Sequence, residues 1–239
     1  FAYITIHGTP GENGILQGYF RLLNIPFSCC DVLQAALTFD KYACNNYLRS
    51  FGIRVANSIV LRAGESVTDE RVMQEIGLLC FIKLSVGGSS FGVTKVTSVD
   101  QIDAAIEAAF AESDQVLIEE CIVGREFGCG VVVTEEKEIL LPITEIISKR
   151  DFFDYEAKYT EGLSDEITPA QISDEIKAKL NRMTLEAYRA CRCSGIVRID
   201  IIVTGADEPY LMEINPAGRS GIIRGTKKGL NRGVPSPAA

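Results

Sequence analysis

Short turns between strand-like segments constrain the fold of this 239-residue chain more than any other feature of its sequence. The strand-like segments share apolar alternation or short apolar runs, and they lie at 3–7, 54–61, 79–84, 92–97, 115–120, 127–134, 138–147, 196–204 and 209–215. Several neighbours are joined by turns too short for a crossover helix, so at least part of the sheet is antiparallel.

Helix-like segments lie between the strands, which predicts a mixed α/β (α+β) fold. They cover 39–51, 68–76 and 100–111, and a longer one runs from Thr168 to Gly195. Ser98 and Gln101 have capping-box spacing before the third helix. Thr168-Pro169 offers the fourth a capping hydroxyl and a first-turn proline. Two long connections, 84–92 and 148–168, have the length of lids or binding loops.

The composition excludes several classes of protein. Apolar residues make up 46% of the chain, which suffices for a core and rules out a disordered chain. No apolar run approaches about 18 residues, so no membrane partner is expected. The net charge of −8 argues against a nucleic-acid partner, because such binding depends on Lys and Arg. The charge is uneven, since residues 214–239 hold five basic residues and no acidic one.

Eight cysteines are spread along the chain without a C-x-x-C pair, and His7 is the only histidine. The ligand spacing of a zinc site is therefore absent. Most of the cysteines lie in apolar runs, where a buried and reduced thiol is the expected state. Reduced thiols favour a cytoplasmic location.

The segments 197–203 and 210–215 carry the strongest chemical pattern. If positions 204 and 209 pair at the base of the turn, Asp200 faces Glu213 and Arg198 faces Asn215. Apolar residues, Met212 among them, then point to the opposite face of the sheet. Opposed carboxylates repel each other unless a cation lies between them or one is protonated. Two carboxylates beside an amide suit Mg²⁺, and a solvated arginine–carboxylate network is the alternative.

Three further segments have weaker patterns. Lys83 ends an apolar strand, and the backbone N–H groups of the glycine-rich loop after it could line a phosphate, although a flexible hairpin is equally consistent with the sequence. Glu119 and Glu126 flank a turn between strands, where they could hold a ribose or an adenine or could simply be solvated. The aromatic segment 152–159 is a substrate lid or a packed loop.

Together, these segments resemble the D-alanine–D-alanine ligases of the ATP-grasp superfamily. The resemblance covers residues 2–215, in family order, through His7-Gly-Thr-Pro-Gly-Glu-Asn-Gly, Asp40-Lys41, Lys83 with the glycine–serine loop, Gly124-Arg-Glu126, Phe153-Asp-Tyr-Glu-Ala-Lys-Tyr159, Arg198-Ile-Asp200 and Glu213-Ile-Asn215. The loop that ends at Tyr159 is the most specific of these segments.

The resemblance implies ligation of two D-alanines through an acyl phosphate, driven by ATP, for peptidoglycan precursor synthesis. ATP and two Mg²⁺ (or Mn²⁺) ions are the implied cofactors, and family members are commonly homodimers. The implied ATP-binding residues are Lys41, Lys83, Glu119 and Glu126. The implied metal ligands are Asp200, Glu213 and Asn215.

The remaining implied roles concern catalysis and the amino-acid substrate. Arg198 would stabilise developing charge, and Lys158 would reach the γ-phosphate. Ser89 and Tyr159 would form a hydrogen-bonded relay between two closing loops. His7 would line the site of the first D-alanine.

The resemblance also divides the chain into parts. Residues 1–28 would be the remainder of an N-terminal substrate domain, 29–118 the central ATP-grasp domain and 119–215 the C-terminal one. Residues 216–239 form an atypical basic tail rich in glycine and proline.

The chain departs from the family at several points. Family members begin with a further strand and helix that bear a substrate-orienting glutamate, and Leu84 stands where they have proline. The segment after Asn215 lacks their Thr…Pro-Gly pattern. We therefore expect an incomplete and inactive chain. Two alternatives stay open, namely another ATP-grasp carboxylate–amine ligase and a non-catalytic nucleotide-binding remnant.

Overall fold

The computed structural model of the chain describes residues 1–87, 92–134, 136–148 and 164–217. The helices in these ranges are α1 (Ile15–Leu22), α2 (Val32–Phe39), α3 (Lys41–Arg49), α4 (Asp69–Glu75), a 3₁₀ turn (Val99–Gln101), α5 (Ile102–Phe110) and α6 (Asp174–Ala190). The strands are β1 (Ser58–Arg62), β2 (Cys80–Leu84), β3 (Thr94–Val96), β4 (Gln115–Glu120), β5 (Gly124–Val133), β6 (Glu138–Leu140), β7 (Thr144–Ser148), β8 (Ser164–Ile167), β9 (Ile196–Thr204) and β10 (Pro209–Asn215).

The first sheet has the strand order β1-β4-β2-β3, with every neighbouring pair antiparallel. Helices α4 and α5 pack on it through Val72 and Ile102, which are fully buried. Ile82 and Ile118 supply the sheet side of this core. The sheet thus has a hydrophobic core of its own.

The second sheet has the strand order β10-β9-β5-β7-β8, and β6 pairs with the far end of β5. One face is apolar because Phe127, Ile199 and Leu211 point into a core that α6 covers with Leu180. Leu48 of α3 belongs to the same core. Alternation along the strands therefore leaves the polar residues of β5 and β9 on the opposite face.

The antiparallel pairing and most of the expected strands are confirmed. The segments 115–120, 196–204 and 209–215 form strands with the expected bounds. The segment 138–147 was expected to be one strand, but it contains β6 and β7 with a break at 141–143. Within the second long connection, 164–167 form β8, which the sequence did not indicate.

The expected strand at 3–7 is wrong. Ala2 forms an isolated parallel bridge with Phe27, and the N–H of Ile4 donates to the Ser28 hydroxyl at 3.0 Å. Among the described residues, this segment has no neighbouring strand to complete a ladder. An alternating pattern without a partner strand does not form a sheet.

The expected start of the long helix at Thr168-Pro169 is also wrong. The Thr168 hydroxyl lies 2.6 Å from the hydroxyl of Thr144 on β7, just after the end of β8. It therefore hydrogen-bonds with Thr144 and does not cap a helix. The helix begins later, where the Ser173 hydroxyl accepts the Ile176 N–H at 3.2 Å. It ends at Ala190, well before the expected Gly195.

Replacing the helix cap tests this correction. We expect Ser173→Ala to lower the free energy of unfolding by about 1 kcal/mol, because the first turn of α6 loses its side-chain acceptor. Ser173→Asn keeps an acceptor and is the matched control, with stability close to that of the unchanged chain. Urea denaturation of both variants measures the difference. Equal stability of the two variants would contradict the cap assignment.

Over the described ranges, we find no helix that combines the length and the apolarity needed to cross a membrane.

Candidate active site

The β9–β10 hairpin brings the candidate metal ligands together as expected. Asp200 faces Glu213, and Arg198 faces Asn215. The expected pairing at the turn is wrong by one residue, because Pro209 pairs with Val203. The register shifts between Leu211 and Glu213, and this β-bulge restores the expected register beyond it.

The bulge also changes which side chain enters the core. Met212 was expected there, but Leu211 is 1% exposed and Met212 is only half-buried. The extra residue shifts the alternation of β10 by one position. Leu211 before the bulge and Ile214 after it therefore both face the core.

Arg198 and Asp200 form a two-pronged ion pair on the polar face. Guanidinium Nε and Nη2 donate to the two carboxylate oxygens at 2.8 and 2.7 Å, and Asn215 Nδ2 donates to Asp200 Oδ2 at 3.1 Å. Burial opposes the charge on Arg198, but the carboxylates of Asp200, Glu213 and Glu126 outweigh it and raise the pKa of the guanidinium. Arg198 is therefore a permanent positive charge within an acidic cluster.

Strand β5 continues this polar face beside β9. Gly128 pairs with Asp200, and Gly130 pairs with Arg198. A side-chain carbon at Gly128 would lie 3.7 Å from Arg198 Cδ and 3.8 Å from Asp200 Oδ1, in ordinary van der Waals contact with the ion pair. Glu126, two residues before Gly128 on β5, adds a further carboxylate to the same face.

Lys41 brings a positive charge to the hairpin from the first turn of α3. Its Nζ lies 3.9 Å from Glu213 Oε1 and donates to the Gly87 carbonyl at 2.5 Å. Gly87 is the last described residue before the glycine–serine loop. Lys41 therefore connects the β9–β10 hairpin to the start of that loop.

Asp40 holds the start of α3 against the first sheet. Its carboxylate accepts the Ala43 N–H at 3.0 Å as the helix cap, and it also accepts the Ser85 hydroxyl at 3.0 Å and Gln115 Nε2 at 3.4 Å. The Lys41 N–H donates to the Ser85 carbonyl at 2.9 Å. The backbone of Lys41 is thus fixed beside the end of β2, which also carries Lys83.

Lys83 and Glu119 form a buried ion pair on neighbouring strands β2 and β4. Lys83 Nζ donates to Glu119 Oε2, and the two side chains are only 14% and 2% exposed. Asn45 Nδ2 of α3 donates to the other carboxylate oxygen at 3.4 Å. These two of the four candidate ATP-binding residues therefore lie together, next to the helix that carries Lys41.

His7 lies in a separate hydrogen-bonded turn. Its Nδ1 is 3.3 Å from Glu12 Oε1, and Glu12 Oε2 accepts the Gly8 N–H at 2.7 Å. Ile4 of the same segment packs in a small cluster with Ala217, two residues beyond Asn215. The segment just before the turn therefore packs close to the end of the β9–β10 hairpin.

The chemistry of these residues fits a hard divalent cation. Asp200 and Glu213 offer carboxylate oxygens, and Asn215 offers an amide. In the described part of the chain, no cluster of three or more carboxylate, imidazole or thiol groups forms a metal site. Mg²⁺ is usually bound by only one or two carboxylates, because water and substrate phosphates complete its coordination.

The structure brings most of the candidate residues into two connected groups. Helix α3 connects the two groups, because Lys41 contacts Glu213 and Asn45 donates to Glu119. The hairpin group consists of Arg198, Asp200, Glu213 and Asn215, with Glu126, and the second group consists of Lys83 and Glu119. Ser89, Lys158 and Tyr159 lie outside the described residues.

Three supporting residues were missed from the sequence, namely Glu12, Asn45 and Ser85. Asn45 stands four residues after Lys41, and this spacing places both on one side of a helix, so a signal for it existed. Glu12 lies inside a segment already noted for its resemblance.

The family described as D-ala D-ala ligase C-terminus matches residues 47–218. The D-alanine–D-alanine ligases of Phocaeicola vulgatus and Bacteroides thetaiotaomicron are 55% and 54% identical to this chain over 215 residues, which is 90% of it. The chain spans 66% of the length of each of these curated relatives.

Solved structures of such ligases are also similar. The D-Ala:D-Ser ligase VanG from Enterococcus faecalis has a TM-score of 0.78 and 34% identity, and the match covers 94% of this chain and 67% of that one. The D-alanine–D-alanine ligase from Bacillus anthracis complexed with ATP has a TM-score of 0.81 and 27% identity, covering 96% and 73%. The expected ATP-grasp fold is confirmed, and the chain belongs to the D-alanine–D-alanine ligase family.

Proposed function

We propose that the chain binds ATP with Mg²⁺ and supplies the nucleotide and metal site for the ligation of two D-alanines to D-alanyl-D-alanine, a reaction of peptidoglycan precursor synthesis. The contact between Lys41 and Glu213 carries this proposal. It puts the Lys41 ammonium, which suits a phosphate, against the Glu213 carboxylate, which suits a metal ion. Lys83 lies near the end of β2, beside the start of α3. A nucleoside triphosphate with its Mg²⁺ would satisfy both charges, because the phosphate oxygens suit the lysine and the metal ion suits the carboxylate.

The two lysines and the carboxylates divide the work of binding. Lys41 and Lys83 would bind phosphate oxygens. To do so, Lys83 would give up its ion pair with Glu119. Glu119 and Glu126 would then be available to hydroxyl or amine donors of the nucleoside. Asp200, Glu213 and Asn215 would hold one or two Mg²⁺ or Mn²⁺ ions, which neutralise phosphate charge when bound.

The reaction would proceed in two displacements. The carboxylate of the first D-alanine attacks the γ-phosphorus of ATP, ADP leaves, and an acyl phosphate forms. The amine of the second D-alanine then attacks the acyl carbon, and phosphate leaves from the tetrahedral intermediate. Arg198 would stabilise the negative charge that develops at both stages, because its guanidinium keeps its proton throughout.

Other residues would orient the substrates and exclude water. His7, held by Glu12, would line the first D-alanine site. Lys158 would contact the γ-phosphate, and Ser89 and Tyr159 would align the closing loops. Excluding water would protect the acyl phosphate from hydrolysis. We further propose a homodimer. We also propose a cytoplasmic location, which the eight free cysteines support.

Calorimetry and a phosphate-release assay test the proposal. We expect weak but saturable ATP binding by the chain that requires Mg²⁺. When the chain is joined to the N-terminal part of a longer ligase relative, we expect phosphate release that rises when D-alanine is added. L-alanine is the matched control and should give no rise. D-serine is a useful second acceptor, because a solved relative is a D-Ala:D-Ser ligase.

Two results would contradict the proposal. Failure to bind ATP with Mg²⁺ would remove the nucleotide site altogether. Phosphate release that is indifferent to D-alanine would favour a different ATP-grasp ligase or a nucleotide-binding remnant.

A further inference from the structure

Gln17 of α1 is a fully buried amide whose side chain joins two separate segments. Its Nε2 donates to the Gly11 carbonyl at 2.6 Å and to Cys29 Sγ at 3.3 Å. Among the described residues, its Oε1 is buried and has no hydrogen-bond partner. A buried polar atom without a partner destabilises a fold, so packing alone does not explain an amide at this position.

The Gly11 carbonyl fixes the orientation of this amide. A carbonyl oxygen only accepts hydrogen bonds, so the Gln17 atom that lies 2.6 Å from it is the nitrogen and not the oxygen. Turning the amide over would place two acceptors against each other. The unpartnered Oε1 is therefore the consequence of using the nitrogen to hold Gly11.

Gly11 lies against the segment that carries His7. A Cβ at position 11 would come 2.2 Å from the carbonyl oxygen of Ile6, so the two backbones are in close contact. Glu12 follows directly, and its carboxylate oxygens lie 3.3 Å from His7 Nδ1 and 2.7 Å from the Gly8 nitrogen. A shift of Gly11 would therefore displace both the backbone before His7 and the carboxylate that faces its ring.

The second acceptor of the amide lies beside the end of the β9–β10 hairpin. The N–H of Cys30, the residue after Cys29, donates to the Pro216 carbonyl at 3.3 Å. Pro216 directly follows the candidate metal ligand Asn215. Gln17 therefore stands between the turn of residues 7–12 and the strand end that carries this ligand.

We propose that Gln17 is a positioning residue of the amino-acid site, which holds the turn of residues 7–12 so that the His7 ring keeps its Nδ1 on Glu12. An ionised carboxylate only accepts hydrogen bonds, so Nδ1 carries the proton of the neutral ring and Nε2 is left as an acceptor. The consequence for D-alanine rests on the proposed function. The positioning of the ring does not depend on it.

The tautomer of His7 tests this positioning, because His7 is the only histidine and gives a single pair of ring nitrogen signals. Proton–nitrogen correlation spectra of the untagged, ¹⁵N-labelled chain at about pH 8.5, where an ordinary imidazole is neutral, distinguish the two tautomers. We expect the Nδ1-protonated tautomer in the unchanged chain.

Gln17→Met keeps an unbranched side chain of similar length and removes both donors. The Gly11 carbonyl then has no donor and should move towards water, because a buried acceptor without a partner is costly. We therefore expect the variant to lose the Nδ1-protonated signals of His7 and to show a mixture of both tautomers. Thermal melts establish that it is folded.

Cys29→Ala is the matched control, because it removes the other acceptor of Gln17 and leaves the bond to Gly11. Its His7 signals should be those of the unchanged chain. Adding D-alanine should shift the His7 signals of the unchanged chain more than L-alanine does, and Gln17→Met should lose this response. If D-alanine has no effect while the tautomers behave as expected, the proposed role of His7 is wrong and its positioning by Gln17 is confirmed.

Three results would overturn the positioning of His7 by Gln17. The first is an Nε2-protonated His7 ring in the unchanged chain, a measurement that requires no variant to fold. The second is a folded Gln17→Met protein whose His7 signals are unchanged. The third is an equal change in Cys29→Ala, which would show that any disturbance of the packing around Gln17 moves the ring.

Discussion

Glu119→Ala is expected to lower the free energy of unfolding by about 3–5 kcal/mol, because it leaves the buried ammonium of Lys83 without its carboxylate. The change also removes the acceptor of the Asn45 amide. Since domains are stable by only about 5–15 kcal/mol, this loss is a large part of the total. The midpoint of urea denaturation, with its slope checked for constancy, measures it.

Two controls separate the burial of the pair from the removal of a charge. Glu75→Ala breaks the ion pair with Arg71, whose side chains are 50% and 54% exposed, and should cost at most about 1 kcal/mol. The double variant Lys83→Met with Glu119→Leu leaves neither charge unpaired and should be far more stable than Glu119→Ala. A double variant as unstable as the single one would show that the penalty does not come from the unpaired lysine.

The double variant also separates stability from binding. Under the proposed function it should fold and yet bind ATP weakly, because a phosphate-binding lysine is missing. Compared with Glu119→Ala, the double variant would then be more stable without recovering nucleotide affinity.

The sequence predicted local structure well and long-range neighbours poorly. Turn length and alternation led to the prediction that Asp200 faces Glu213, which the structure bears out. They could not reveal the bulge, because Leu211 and Met212 are both apolar and either could face the core. The register at the carboxylates was correct only because the bulge compensated for a turn pairing that was wrong by one residue.

The long-range contacts have no local signal at all. Thr168 has the sequence context of a helix cap, but its hydroxyl hydrogen-bonds with that of Thr144 on β7. The contacts of Lys41 with Glu213 and of Asn45 with Glu119 likewise depend on how distant elements pack. Resemblance to a family supplied the proposed roles of Lys41 and Glu213.

Asp200→Asn is expected to weaken Mg²⁺-dependent ATP binding at least about tenfold, equal to about 1.4 kcal/mol. An amide keeps the size of the side chain and one acceptor for Arg198, but it removes one of the two opposed carboxylates. Asp207→Asn is the matched control, since Asp207 lies in the exposed turn of the same hairpin with a φ of 59° that asparagine tolerates.

Magnesium dependence distinguishes the loss of a ligand from a general disturbance of the site. ATP affinity of the unchanged chain and of Asp207→Asn should rise with Mg²⁺ concentration, whereas that of Asp200→Asn should respond weakly. Isothermal titration at several Mg²⁺ concentrations, and again with EDTA, measures the response. Thermal melts without nucleotide show whether the variant is folded, because Arg198 loses part of its ion pair. If a folded Asp200→Asn protein responds to Mg²⁺ as the unchanged chain does, the hairpin does not hold the metal ion.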